Sequence, residues 1–321
     1  MSAKQITPIS FLSLIKSYLL ALRPRQWTKN LIVFAAPIFA FRLDSLTLAS
    51  CSLAFVLFCS ISSSFYLIND ILDVESDRRH PVKCKRPIAA GLINLPTATT
   101  LALVLLIGAI GCAWVFDRGL GAAITSYGLL QIAYNLKLKR KVILDILAIA
   151  IGFVLRAYAG AAAANILLSS WFLICTAMLA LFLAIEKRKA ELRLLEYKDT
   201  GHTRVVLYRY SLSMLSRMEN TVTTGAIMSY ALWSSGPQVN GASTPWMLLT
   251  LPFVLYGIFR YQLLSDPKEI ERRSYGNQDL GGRTERPEEI LLTDRPILYT
   301  VIAWIMTVLM VMTLKHYYLI A

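Results

Sequence analysis

The residues best suited to chemistry stand together at Asn69-Asp70-Ile71-Leu72-Asp73-Val74-Glu75-Ser76-Asp77, one amide and four carboxylates in nine positions. They follow directly on an apolar run that ends near Ile68. If helix continues through them, Asn69, Asp73 and Asp77 fall at i, i+4 and i+8, and Asp70 joins Asp73 and Asp77 at i, i+3 and i+7. Both sets lie on one helical face. Like charges at that spacing repel, and at the mouth of a membrane span they are costly. A hard divalent cation with oxygen ligands removes the cost, and Mg²⁺ usually arrives with a substrate phosphate. Just downstream, His80-Pro81 and Lys83-Cys84-Lys85-Arg86-Pro87 supply the opposite charge. Acids for a metal followed by bases for phosphate oxygens describe a diphosphate site. The plainer alternative is a solvated helix end.

A second constellation runs Tyr134-Asn135-Leu136-Lys137-Leu138-Lys139-Arg140-Lys141, then Asp145 and Arg156. Its four bases in five residues also serve as a topology signal. Asp145, Gly152 and Arg156 share one side of a helix, with Arg156 about 16 Å along it from Asp145. An arginine at that depth is expensive and marks a functional site by default; the alternative is an ion pair with an acid on another helix. Glu186-Lys187-Arg188-Lys189-Ala190-Glu191 reads mainly as a salt-bridged helix end. The long connection Asp266–Arg295 reads as a lid, a lipid-phosphate entrance or a plain connector. No P-loop, GxGxxG, GxSxG or HExxH sequence occurs, so nucleotide-driven pumping has no support.

The elements that carry these groups are apolar. Hydrophobic residues make up 56% of the 321, charged residues only 17%, and mean hydropathy is +0.53. That is too apolar for an ordinary soluble domain. Several runs reach about 18 to 22 residues, enough to cross a bilayer. The fold class is therefore an all-α integral membrane protein. Nine spans are expected, near 28–42, 46–68, 97–116, 119–136, 142–163, 167–186, 217–235, 244–263 and 296–315. The first is short. Residues 1–27 form an N-terminal segment whose Phe11–Leu22 run is an interfacial amphipathic helix; residues 28–321 form one transmembrane domain. The N-terminus shows no signal peptide.

All but four of the 33 Lys and Arg residues fall in the N-terminal segment and in the loops after the even-numbered spans. The exceptions are Arg42, Arg118, Arg156 and Lys315. The positive-inside rule then places the N-terminus and those loops in the cytoplasm, where phosphorylated metabolites are found, with the cell (inner) membrane around the spans. The same bias explains the net charge of +13 without nucleic acid. The five cysteines form no CxxC pair and the three histidines are scattered, so neither a disulfide frame nor a zinc site is indicated. Oligomeric state is left open.

The pattern Asn-Asp-x-x-Asp-x-x-x-Asp, here Asn69 to Asp77, followed by His-Pro-x-Lys-x-x-Arg-Pro, here His80 to Pro87, resembles the UbiA family of intramembrane prenyltransferases. The resemblance runs from Arg23-Pro24 to Arg295-Pro296. It implies nine helices around a central cavity that binds Mg²⁺-diphosphate. Further stretches resemble a branch of that family that transfers phosphoribose to a lipid. They are Arg23-Pro24-x-Gln26-Trp27-x-Lys29-Asn30, Tyr134-x-Leu136-x-Leu138-Lys139, Gly152-Phe153-x-Leu155-Arg156, Lys187-Arg188-x-x-Glu191-Leu192 and Pro287-Glu288-x-x-Leu291-Leu292-x-Asp294-Arg295-Pro296. The second aspartate-rich motif of aromatic prenyltransferases is missing, and Lys187 and Arg188 stand after the sixth span.

The resemblance implies 5-phosphoribosyl 1-diphosphate as donor, a polyprenyl phosphate as acceptor and membrane lipid as surroundings. Mg²⁺ would sit on Asn69, Asp73 and Asp77. Lys83, Arg86, Lys139 and Arg140 would bind donor phosphates, with Lys83 also catalytic. Lys29 and Arg156 would hold the acceptor phosphate, Lys29 reaching the donor as well, and Tyr66 would line the donor pocket. Two other readings remain: an aromatic prenyltransferase, and a polyprenyl-phosphate transporter or flippase.

Overall fold

The structure is a computed structural model that describes residues 11–80, 82–197, 206–274, 290 and 293–317. Every regular element among them is helical. In chain order, leaving out the 3-10 turns of six residues or fewer, these are α1 (Phe11–Leu22), a 3-10 segment (Pro24–Phe34), α2 (Ala35–Phe39), α3 (Ser45–Leu72), α4 (Val74–Arg79), α5 (Leu95–Phe116) and α6 (Arg118–Leu136). There follow α7 (Leu144–Ala163), α8 (Ser170–Tyr197), α9 (Leu212–Ser234), α10 (Leu251–Leu264), α11 (Pro267–Ser274) and α12 (Arg295–His316).

Acids and amides at the helix starts satisfy amides that have no partner within the helix. Asp44 accepts from Thr47 N, Asn94 from Thr97 N, Asp117 from Leu120 N and Asp294 from Ile297 N. Six helical stretches are long and apolar enough to cross a membrane: α3, α5, α7, residues 170–193 of α8, the stretch Pro245–Leu264 that ends in α10, and α12. Helices α6 and α9 are more polar and pack beside them, α6 against α5 and α7, α9 against α8 and α10. The chain is a multi-pass membrane protein. Eight of the nine expected spans thus have a helical counterpart.

The expected first span, 28–42, does not form one α-helix. It is a 3-10 segment followed by five residues of α2, with Pro37 inside α2. Irregular backbone at membrane depth needs protein around it, and this segment lies against α3 and α7. Gly160 on α7 makes room for it: a Cβ there would stand 1.9 Å from the Val33 carbonyl oxygen. The buried residues of α7 are mostly small, among them Ala148, Ala157, Ala159 and Ala161. Small residues let helices approach closely, and α7 touches α2, α3, α6 and α8.

Chain direction alternates from α3 through α10, omitting the short α4. The ends of α3, α6, α8 and α10 therefore lie together, with α1 packed on α3 there. This is the basic end of the bundle. Arg42, Arg118 and Lys315 mark the opposite end.

Candidate active site

At the basic end the helix does not run on through the acidic stretch as expected. α3 stops at Leu72, Asp73 takes φ −93° and ψ 7°, and α4 starts at Val74. The break redistributes the acids. Asp70 and Asp77 are 2% and 1% exposed, whereas Asp73 and Glu75 face outward and Asn69 is half-buried. The i, i+7 pair Asp70 and Asp77 is therefore brought together, and the i, i+4 partner Asp73 is turned away.

One guanidinium bridges the buried pair. Arg86 Nη1 donates to Asp70 Oδ1 at 3.0 Å and to Asp77 Oδ2 at 2.7 Å. Lys83 Nζ lies 3.9 Å from Asp77 Oδ1. A second arginine arrives from the N-terminal segment: Arg23 Nη2 donates to Asp70 Oδ1 at 2.5 Å, with its guanidinium carbon 4.8 Å from the centre of the Tyr66 ring. Arg23 is left-handed, at φ 55° and ψ 61°, where the chain turns from α1 into the 3-10 segment. Two bonds fix that turn to α3. Trp27 Nε1 donates to Ser63 Oγ at 3.0 Å, and Ser63 Oγ donates to the Leu22 carbonyl at 2.9 Å. Buried carboxylates demand partners of this kind.

Deeper along the same segment lies a second polar centre. Arg156 is 7% exposed. Its Nε donates to Asn30 Oδ1 at 2.7 Å, Nη1 to the Gly152 carbonyl at 2.8 Å and Nη2 to Tyr127 Oη at 2.8 Å. The rings of Tyr127, Phe153 and Phe58 surround it, at 4.6, 5.5 and 5.7 Å. No carboxylate pairs with it among the described residues. The ion-pair alternative for Arg156 is thereby replaced by neutral acceptors and aromatic faces, so its charge stays uncompensated. Asn30 is held in turn, its Nδ2 donating to Cys59 Sγ at 3.2 Å. Lys29, one residue before it, donates to Gln26 Oε1 at 2.6 Å and is half-buried.

The other bases fall into two groups. Lys139 is half-buried and Arg140 exposed, in a short turn after α6 at the basic end. Neither makes an ion pair among the described residues. Arg188 and Lys189 are instead bound into the protein. Arg188, fully buried, donates to Asp145 Oδ2 at 2.7 Å and pairs with Glu191. Asp145 Oδ1 accepts from Tyr210 Oη at 2.7 Å, and Tyr210 Oη accepts from Ile143 N at 2.7 Å. Burial raises the Tyr210 phenol above its ordinary range. Lys189 bonds Glu186 at 2.7 Å and also Glu219. This is the expected salt-bridged helix end, buried among α7, α8 and α9 instead of solvated. Of the loop Asp266–Arg295, residues 275–289, 291 and 292 lie outside the described residues. A cavity of about 530 Å³ sits at the opposite end of the bundle and contains none of these charged groups.

Two residues of the basic-end site were not read as ligands from the sequence. Asp70 stood in the motif, and its i, i+7 relation to Asp77 was the available signal. Arg23 is 47 positions from Asp70, and nothing local announces the pairing.

Mg²⁺ suits this donor set. No group of three or more Asp, Glu, His or Cys side chains among the described residues could hold a metal unaided. Mg²⁺ needs less than that: one or two carboxylates, with substrate phosphates and water completing its oxygen shell. Asp70 and Asp77 offer the two; Asn69 and Asp73 neighbour them in sequence, with Asp73 facing outward.

The family model for the UbiA prenyltransferase family matches residues 30–275, and the chain belongs to that family. Among curated proteins it is 38% identical over 309 residues to decaprenyl-phosphate phosphoribosyltransferase of Mycolicibacterium smegmatis, covering 92% of each chain. It is 35% identical over 302 residues to the protein of the same name from Mycobacterium tuberculosis, covering 92% of this chain and 94% of the relative. In three dimensions it is similar to a UbiA homologue from Archaeoglobus fulgidus bound to GPP and Mg²⁺. The TM-score is 0.65 at 18% identity, over 92% of this chain and 99% of the other.

Proposed function

We propose that this chain is a Mg²⁺-dependent enzyme that transfers 5-phosphoribose from 5-phosphoribosyl 1-diphosphate to a polyprenyl phosphate. The observation that carries the reading is the buried Asp70–Arg86–Asp77 bridge at the mouth of α3, flanked by Arg23 and Lys83. It offers oxygen donors for a cation beside bases for phosphate. The names of the relatives, at 35–38% identity over nearly the whole chain, support the choice of donor and acceptor. The positive-inside bias supports a cytoplasmic basic end.

Asp70 and Asp77, with Asn69 and Asp73 beside them, would hold Mg²⁺. A cation held there would supply positive charge to the diphosphate and so make it a better leaving group. Lys83 and Arg86 turn from carboxylate to phosphate oxygens, and Lys139 and Arg140 reach the donor from the neighbouring loop. A phosphate oxygen of the acceptor attacks C1 of the ribose. The C1–O bond breaks through an oxocarbenium-like state, and diphosphate leaves with the electron pair. Cationic side chains stabilise the charge that develops. The acceptor phosphate is already anionic, so no general base is needed. Arg156, with its uncompensated charge, and Lys29 beside Asn30 draw that phosphate inward, and the isoprenoid tail lies among the helices.

The test is turnover by purified protein in vesicles given labelled 5-phosphoribosyl 1-diphosphate and a polyprenyl phosphate. The reading expects label in the lipid fraction with equal release of diphosphate. Turnover only of a prenyl diphosphate with an aromatic acid overturns it, as does lipid movement across the vesicle without bond formation.

A further inference from the structure

The end of the bundle remote from the carboxylates holds a cavity of about 530 Å³, within the roughly 300–1,000 Å³ range of ligand pockets. Three segments frame it: α2 with Phe39 and Ala40, the α7–α8 loop with Ile166–Ser170, and the connection after α9 with Asn240–Ser243. Its floor is aromatic. Phe39 packs edge-on against Trp233, Phe172 and Trp304, at 4.7, 5.4 and 5.4 Å between ring centres. Its rim is polar, with Ser169 Oγ donating to the Asn240 carbonyl.

Charge at this rim is what singles it out. The whole remote end carries three basic residues, Arg42, Arg118 and Lys315. Two of them converge here from different parts of the chain. Arg42 Nη1 donates to the Asn165 carbonyl at 3.3 Å, next to the lining residue Ile166. Lys315 Nζ donates to the carbonyl of Ser243, itself in the lining. Neither forms an ion pair among the described residues. Asp44, the acid nearest to Arg42 in sequence, spends its carboxylate on Thr47 N at 2.9 Å and Thr47 Oγ1 at 2.8 Å and meets the Arg42 charge only from beyond ion-pair distance. An apolar hollow with two cations bonded to carbonyls at its border, at a helix-end level of a membrane protein, matches an amphiphile with an anionic head.

We infer that this cavity binds an anionic phospholipid. One acyl chain lies on the Phe39–Phe172–Trp233 floor, and the phosphate stands between Arg42 and Lys315. The site is separate from the carboxylate cluster and does not depend on the reaction proposed for it.

The test uses the full chain in phosphatidylcholine vesicles doped with a photoreactive phosphatidylglycerol carrying its reactive group on the acyl chain. Saturable labelling of peptides containing Phe39, Phe172 or Trp233 is expected. The double variant R42Q/K315Q should lower that labelling by about thirtyfold, taking about 1 kcal/mol for each basic residue. Ala40→Trp, which fills the exposed mouth without touching either cation, should block it in a protein of unchanged melting temperature. Equal labelling by a photoreactive phosphatidylcholine overturns the inference. So does labelling that ignores both sets of substitutions, or preferential labelling by a polyprenyl phosphate probe.

Discussion

Arg156 Nε donates to Asn30 Oδ1 at 2.7 Å, joining α7 to the 3-10 segment through a neutral acceptor. A buried cation is normally matched with a carboxylate. Here it is met by an amide, a phenol, a backbone carbonyl and three aromatic rings. The unmatched charge is the reason to expect an anion beside it. The isosteric change Asn30→Asp keeps the accepting oxygen and supplies the missing negative charge. It should raise KM for polyprenyl phosphate about tenfold or more, the scale of a charged hydrogen bond, with KM for the donor within about twofold. Melting temperature should hold, since the change pairs a buried charge. A rise confined to donor KM would reassign Arg156 to the donor.

At the mouth of α3, Asp77→Asn removes charge from the carboxylate that Arg86 bridges and Lys83 approaches. Asp73 is exposed and packs against little, so Asp73→Ala tests metal binding with small risk to the fold. Both should lower turnover on the order of a hundredfold or more, the scale of lost electrostatic stabilisation. Chelation of Mg²⁺ should abolish transfer and its return restore it. A folded Asp73→Ala variant with full turnover would remove Asp73 from the metal set and leave Asp70 and Asp77 to hold the ion.

Asp145 and Arg188 bury an ion pair at 2.7 Å, with side chains 0% and 1% exposed. Asp145→Ala leaves the guanidinium short of a partner and should cost about 3–5 kcal/mol. The double variant D145L/R188M removes both charges and should recover much of that loss. Thermal unfolding of the two variants in one detergent measures it. Equal instability of both would give the pair a role beyond mutual neutralisation.

Gly160 is required by contact. A Cβ there would stand 1.9 Å from the Val33 carbonyl oxygen, so Gly160→Ala must push the 3-10 segment off α7. Overpacking of this kind costs about 1–3 kcal/mol. Because Asn30 rides on the same segment, KM for the acceptor should rise along with the fall in melting temperature. An unchanged melting temperature would contradict the packing described.

Much of this was legible because single residues carry local signals. Apolar runs of spanning length located eight helices. The charge-dense stretches after the even-numbered spans marked the basic end. Other features depend on distant partners. The stop at Leu72 has no glycine or proline to announce it, so helix through Asp77 was the natural expectation. Arg23 reads locally as an anchor at a helix entry, yet its guanidinium reaches Asp70, 47 positions away. Arg156 invited an acid as partner. Its partners, Asn30 and Tyr127, are 126 and 29 positions away, and neutral residues carry no charge pattern to follow. The run 28–42 has span-like composition. It breaks because α7 at Gly160 accepts a carbonyl where a regular helix would present side chains.

The central claim is that a divalent cation and a sugar diphosphate meet on the Asp70–Asp77 pair. The direct measurement is an experimental structure with Mn²⁺ in place of Mg²⁺ and saturating 5-phosphoribosyl 1-diphosphate, with the metal located by its anomalous signal. The account predicts a manganese peak against those carboxylates, with diphosphate oxygens on Lys83 and Arg86. A cation and diphosphate bound elsewhere, with Arg86 still bridging Asp70 and Asp77, would contradict it.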